Sequence, residues 1–366
     1  MPTYLTPGVY VEEVPSASKP IEGVGTSICA FVGLAPGGPV NVPMRISNWT
    51  QFARIYGDPN GPDNGPFMPG AYLAHSVYGY FQNGGGLCWI VRVGGGGDGA
   101  PAKLAALPSS TDDSVEAFRA IAKGSVEGDV SIDLQEETPA KDGGEATYKL
   151  IVNAGDKTET HEGLTTNKKQ KSYIVTKVNS ASKLITLEET GTSLPDEMRV
   201  PRTGKYALAL PSIPVGEVKP KEFEGDVAKR EGLGGLAAVD EITMLCIPDL
   251  QTLANNDTAL RDLQGKMIAH CENASDRMAI LDAPPDMLPQ DILEWRMNTA
   301  GYDSKFAALY YPWLEVMDPL TNQPMYVPPS GHVAGVWART DSTRGVHKAP
   351  ANEVVLGVNG LGFQVT

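Results

Sequence analysis

Two glycine runs divide this chain into three blocks with different hydrophobic periodicities. Gly94-Gly95-Gly96-Gly97-Asp98-Gly99 closes the first block and Gly232-Leu233-Gly234-Gly235 opens the third. In the outer blocks, short continuous apolar runs alternate with one-sided helical patterns, as in a mostly parallel sheet covered by helices. Ser27 to Leu34 reads as a buried strand. Asn48 and Gln51 then resemble a capping box, with Trp49, Phe52, Ile55 and Tyr56 on one helical face before Gly57-Asp58-Pro59. A second helix begins near Pro69, carries Leu73, Val77, Tyr80 and Phe81 on one side, and closes at Asn83-Gly84-Gly85-Gly86. Leu87 to Val93 is the next strand.

The third block repeats this alternation. Ile242 to Ile247, Met278 to Leu281 and Phe306 to Leu314 read as strands, and Asp257 to Cys271 and Pro289 to Asn298 as helices. Tyr326 to Thr366 mixes loop and strand signals. The middle block alternates polar and apolar residues instead: Val130, Ile132, Leu134, then Tyr148, Leu150, Val152. It opens with a short helix carrying Val115, Phe118 and Ile121. Later, Tyr173-Ile174-Val175 and Leu184 to Leu187 flank Asn179-Ser180-Ala181-Ser182 as a hairpin. One-sided alternation fits an exposed β-rich insertion.

The first residues differ again. Pro2, Pro7, Pro15 and Pro20 forbid a helix, and Gly8 to Val14 is β-prone but too short to fold alone. The resulting organisation is an extended arm over 1–22, a first core segment over 23–101, an inserted β-rich domain over 102–225 and a second core segment over 226–366. The fold class is α/β, with a discontinuous, mostly parallel sheet.

Composition narrows function. A net charge of −14 repels phosphate backbones and anionic bilayers, so nucleic acid is not an expected partner. Apolar runs are too short to insert in a membrane, and the N-terminus lacks the basic and hydrophobic regions of a secretory signal. Of the four cysteines, Cys29, Cys88 and Cys246 lie in apolar strand-like runs, the setting of reduced core thiols.

Candidate chemistry is thin. Gly94, Gly96 and Gly99 match a dinucleotide-binding spacing, but Ala100-Pro101 follows where a helix should open, which favours a linker. Asp249 and Asp282 follow strands, where acid–base carboxylates or helix caps are both found. Ser330-Gly331-His332-Val333-Ala334-Gly335 echoes the segment after the nucleophile in subtilisin-type proteases. Tyr326-Val327-Pro328 stands where that family has its serine, and no His-Gly-Thr segment supplies a base. His75, His161, His270, His332 and His347 are scattered without metal-ligand spacing. No catalytic residues, cofactor or metal are expected.

Three stretches resemble the contractile tail sheath proteins of phages and phage-like injection systems. They are Pro7-Gly8-Val9-Tyr10-Val11-Glu12-Glu13 with Gly23 to Ser27, then Phe81-Gln82-Asn83-Gly84-Gly85-Gly86 leading to Val91-Arg92-Val93, and a long third block. The third comprises Ala308 to Trp313, Val327 to Gly335, Ala338-Arg339-Thr340-Asp341 and Gly345 to Asn352. Its marker residues are Pro312, Trp313, Pro328, Pro329, Gly331, His332, Arg339, Asp341, Lys348, Pro350 and Asn352. The resemblance covers about 1–95 and 232–360, with the β module matching only as an insertion.

The resemblance implies a subtilisin-like sheath core and a structural, non-enzymatic subunit of a contractile tail sheath. Many copies would polymerise helically around an inner tube and contract to drive it through a target envelope. Implied partners are other copies of the chain, the inner tube protein, and baseplate and terminator or cap proteins. Assembly is expected in the bacterial cytoplasm, within a phage tail or phage-like particle. Val9, Tyr10, Val11, Glu12 and Val14 would form an inter-subunit arm. The family's further C-terminal domain is not expected within these 366 residues. A soluble subtilisin-fold hydrolase, or a degenerate relative, is the alternative, and a monomeric binding module displaying the β insertion is a third reading.

Overall fold

The computed structural model describes residues 27–58, 65–94, 103–112, 115–123, 129–138, 146–190, 195, 199–209, 215–253 and 255–364. The arm residues Val9 to Val14 and the glycine run after Gly94 lie outside the described residues. The first block contains β1 (Cys29–Gly33), β2 (Met44–Ile46), α1 (Trp49–Tyr56), α2 (Leu73–Gln82) and β3 (Cys88–Arg92). The second holds β4 (Leu104–Pro108), β5 (Glu116–Ala122), β6 (Val130–Thr138), β7 (Thr147–Ala154), β8 (Lys157–Leu164), α3 (Ile174–Ala181), β9 (Ile185–Glu189) and β10 (Gly204–Leu208). The third starts with α4 (Pro220–Glu224), α5 (Gly232–Gly235), β11 (Met244–Cys246), α6 (Asp257–Ala274), β12 (Met278–Asp282) and α7 (Pro289–Glu294). It ends with β13 (Ala307–Tyr310), β14 (Leu314–Met317), β15 (Pro324–Val327), α8 (Ser330–Arg344) and β16 (Gly360–Leu361).

The outer blocks build one six-stranded sheet in the order β13-β12-β11-β1-β3-β2, parallel except for β2 at its edge. The join is β1, whose Cys29 lies opposite Met244 of β11 and Cys88 of β3. Strand alternation sends Ala30 and Val32 towards Leu260, Leu263 and Met267 of α6. Cys29 and Phe31 point to the other face, into a cluster with Leu73, Val77 and Tyr80 of α2 and Ala334 and Ala338 of α8. Helices therefore cover both faces, the arrangement a parallel sheet requires. Local signals agree. The Asn48 side chain accepts from the Gln51 N–H at 2.9 Å to start α1, and Asn256 does the same for Ala259 at 3.2 Å in α6. The cysteines are free and buried, and burial raises the thiol pKa values of Cys29, Cys88 and Cys271.

The middle block forms two antiparallel sheets, β10-β6-β7-β8 and β4-β5-β9, around its own apolar cluster. Strand β7 alternates half-buried and buried residues along its length. The excision boundary is set by packing: Val218 and Phe223, assigned by sequence to the module, sit in the core of the parallel sheet instead. A Cβ built on Gly94 would lie 3.7 Å from Val218, so the two ends of the insertion meet. Replacing residues 95–214 with a short Gly/Ser linker should therefore leave a core that unfolds cooperatively in urea. A broad or lost transition would show that the module helps to hold the core.

Four local expectations are corrected. The helix expected around Val115, Phe118 and Ile121 is strand β5. That spacing also contains the period-two set Phe118, Ala120 and Ala122, which pairing with β4 and β9 buries. The expected turn Asn179-Ser180-Ala181-Ser182 is the end of helix α3, with Ile174 and Val178 buried one turn apart. There Asn179 accepts from the Leu187 N–H at 2.6 Å and donates to its carbonyl at 2.8 Å, so polar side chains complete the β9 backbone. The single strand expected from Phe306 to Leu314 is two strands in different sheets, separated at Pro312, which has no ladder donor. Finally, the stretch after Tyr326 contains α8, a 15-residue helix.

Candidate functional site: a helix pair at the carboxyl ends of the strands

Helix α8 escapes sequence detection because its buried positions are not confined to one stripe. Ser330, Gly331, His332, Ala334, Gly335, Val336, Ala338 and Thr340 are all buried, so no amphipathic period emerges. The small residues have a steric purpose. A Cβ on Gly331 would lie 2.5 Å from the Ser76 carbonyl oxygen of α2, and one on Gly335 would lie 2.5 Å from the Tyr80 carbonyl oxygen. From the other side, a Cβ on Gly79 would lie 2.5 Å from Nδ1 of His332. The two helices thus cross at backbone contact distance.

Two buried aspartates fix the start of each helix. Asp282, the last residue of β12, accepts from the Ser330 N–H at 2.7 Å and the Ser330 hydroxyl at 2.6 Å, capping α8. Asp249, just past β11, accepts from the Leu34 N–H at 2.6 Å and from the Tyr72 N–H at the start of α2. Burial pushes the Asp282 carboxyl up to about 7 and that of Asp249 up to about 6, while these donors pull the other way. Both carboxylates are committed to orphan helix N–H groups, the cap role that sequence left open.

Next to the caps sit two buried histidines. His75 of α2 meets Phe67 at 4.8 Å with the ring planes tilted by 56°, and places Nε2 3.6 Å from the Asp318 carboxylate. His332 has no hydrogen-bond partner for Nδ1 among the described residues, and burial holds its pKa down to about 4, with His75 adding to the shift. Ser330 and His332 are two residues apart on a helix and so face different directions. Ser330 bonds to Asp282 and His332 packs on Gly79, an arrangement that does not pair nucleophile with base.

The remaining marker residues hold the chain around this pair. Trp313, next to Pro312, donates from Nε1 to the Ala283 carbonyl at 2.9 Å and meets Tyr72 edge-on at 5.4 Å. Pro328 and Pro329 are buried at the entry to α8. Arg339 donates to the carbonyls of Asn83 at 3.0 Å and Val354 at 2.5 Å. Asp341 accepts from the Ser27 hydroxyl. Lys348 gathers the carbonyls of Ala349 and Ala351 and the Glu353 carboxylate within 3.0 Å, closing the loop that contains Pro350. Asn352 is exposed with a left-handed φ of 58°.

Asn83 is the centre that sequence reasoning passed over. Fully buried, its side chain donates to Gly79 and Leu356 carbonyls at 2.9 and 3.1 Å and accepts from the Leu356 N–H at 2.8 Å. It ties the end of α2 to the strap after α8. The available signal was its position before three glycines, which reads first as a helix stop.

Residues 228–364 match the phage tail sheath protein central domain. The match covers 137 of the 366 residues. The matched segment contains β11 to β16, α6 to α8 and every marker residue from Pro312 to Asn352. Similar solved structures include a chain of the anti-feeding prophage helical sheath in its contracted state, 20% identical, covering 100% of this chain and 60% of that one, with a TM-score of 0.42. A sheath tail protein from Desulfitobacterium hafniense is 11% identical over 98% of this chain and 68% of its own, with a TM-score of 0.45. The contracted PVC sheath of an extracellular contractile injection system is 18% identical over 100% and 59%, with a TM-score of 0.42. The chain thus spans about 60% of the length of the prophage chain. No curated protein sequence matches it. Among the described residues, no His, Cys, Asp and Glu cluster could hold a metal, and no helix is long and apolar enough to cross a membrane.

Proposed function

We propose that this protein is a structural subunit of a contractile tail sheath. Copies polymerise helically around an inner tube and shorten to drive it through a target envelope. The carrying observation is the sheath central-domain match over residues 228–364. A sheath subunit must re-dock against its neighbours without deforming, and the parallel sheet locked under two backbone-contact helices suits that demand. The subtilisin-like character of the core, with its partial Ser330-Gly331-His332 echo, belongs to the same proposal.

The subunit is non-enzymatic in this reading. Ser330 is committed to capping through Asp282, and His332 faces another way. Partners are other copies, the inner tube, the baseplate and a terminator or cap, with assembly in the bacterial cytoplasm. Residues 1–22 serve as the tether: Val9, Tyr10, Val11, Glu12 and Val14 add a strand to a neighbour's sheet, where alternate side chains enter pockets while the main chain extends a ladder.

Negative-stain microscopy of the protein co-expressed with its tube and baseplate partners should show striated tubes. Deleting residues 1–14, or Val11→Pro to remove one ladder donor, should leave folded subunits that no longer assemble. Featureless particles from the wild type would sink the sheath reading. Normal tubes from the truncated chain would refute the tether alone.

A further inference from the structure

Two exposed apolar faces of the described chain lie on opposite layers of the parallel sheet. The first belongs to α7, which continues into a π-helical turn over Trp295–Ala300. Its inner side is held to α6: Trp295 donates from Nε1 to Asp257 at 2.8 Å, and Arg261 donates to the Thr299 carbonyl at 3.2 Å. Its outer side presents Leu293, 64% exposed, and Met297, 59% exposed, one turn apart, with exposed Leu288 just before the helix. Carboxylates border these side chains. Asp286, Asp291 and Glu294 are exposed and have no ion-pair partner among the described residues. The one cation between them and Gly301 is Arg296, whose Nη1 lies 3.4 Å from Met297 Sδ.

The second face is the strap after α8, on the layer of α2 and α8. Arg339 of α8 donates to the Val354 carbonyl, and Asn83 at the end of α2 holds both the N–H and the carbonyl of Leu356. Val355 turns inward against the β14 cluster, which leaves Val354, 70% exposed, and Leu356, 48% exposed, on the outside. This border is cationic. Lys348 bonds the carboxylate of Glu353, the neighbour of Val354, at 3.0 Å, and Arg339 and Arg344 act on the same group. Three cations therefore surround one anion, and the only carboxylate of α8, Asp341, is bonded to Ser27.

The two borders attract each other, whereas either one would repel its own kind across a two-fold axis. The faces of a single chain cannot meet, because α6 covers one side of the sheet and α2 and α8 the other. We infer that the α7 face of one copy docks on the Val354–Leu356 face of a second copy. The contact rests on the sheath proposal and deepens it by naming the surfaces through which copies associate. Two different patches make a heterologous contact, and on opposite sides of a rigid body they leave one of each free at the ends, so copies add head to tail. A helical polymer grows in this way.

Sedimentation velocity of the full chain at low salt tests the contact, and the wild type should associate beyond a dimer as its concentration rises. Glu294→Arg and Arg344→Glu should each weaken association about tenfold, and the two together should restore it, because the reversed charges again oppose each other. Leu293→Ser with Met297→Ser, surface changes that leave the melting temperature unchanged, should weaken it by a similar factor. A wild type that stays monomeric or stops at a dimer would overturn the inference. So would a charge-swapped double variant that associates no better than the single ones. Tubes are read separately: single reversals that leave tubes normal refute this contact alone, while head-to-tail chains without tubes leave it standing and remove the sheath reading.

Discussion

Gly331→Val is expected to destabilise the protein by about 3 kcal/mol or more, at the upper end of overpacking penalties. The added Cβ would overlap Ser76, whose carbonyl oxygen lies 2.5 Å from that position, and the overlapping atoms are backbone rather than a movable side-chain tip. Relief requires α8 to move off α2, which also pulls Ser330 from Asp282 and Arg339 from Asn83. Thermal melting reads the loss directly. Gly79→Ala provides the control, because its obstacle is the His332 ring rather than backbone. It should be costly alone and nearly neutral when His332→Ala is also present, a coupling that a double-mutant cycle measures. If Gly331→Val melts like the wild type, the helices do not cross as described.

The second large effect is on the pH dependence of stability. Asp282 has a folded pKa of about 7 against an ordinary 3.8. Its contribution is therefore fully present below 3.8 and is lost as pH rises towards 7. His332 runs the opposite way: held at about 4 against an ordinary 6.5, it contributes fully above 6.5 and loses that contribution as pH falls towards 4. Asp249, raised to about 6, runs the same way as Asp282, so the wild type carries opposed linkages over the same interval. Asp282→Asn removes only the Asp282 linkage, since the amide oxygen still accepts from the Ser330 N–H and the amide N–H can donate to the hydroxyl. Between pH 4 and pH 8, the stability of the variant relative to wild type should shift in its favour by about 4 kcal/mol, from a pKa displaced from 3.8 to about 7. Urea unfolding at several pH values measures this. Parallel curves for the two proteins would show that Asp282 does not titrate in this range.

Apolar runs and caps identified the sheet strands and the main helices because burial and capping are local demands: β1, β3, β11, β12, α1, α2 and α6 fall where the pattern put them. The second glycine run did not mark a boundary: Gly232–Gly235 is the buried helix α5, and the core resumes earlier, at Val218 and Phe223. The motif from Pro312 to Asn352 carried the resemblance to sheath proteins, and the sheath central-domain match covers it. Other features depended on partners distant in sequence. Helix α8 is invisible as a period because α2, about 250 residues earlier, buries its glycine face and the sheet buries another. Asp249 and Asp282 read mainly as turn formers or caps, with an acid–base pair as the lesser reading, and their partners appeared only when the fold brought the starts of α2 and α8 to the ends of β11 and β12. Asn83 read as a helix stop, and only the strap returning after α8 gave its amide three bonds. By itself the sequence determined the buried strands of the parallel sheet and the capped starts of α1 and α6, because those are properties of neighbouring residues. The tertiary structure alone decided which buried polar group satisfies which backbone donor, because each such bond joins residues that only the complete sheet brings within 3 Å.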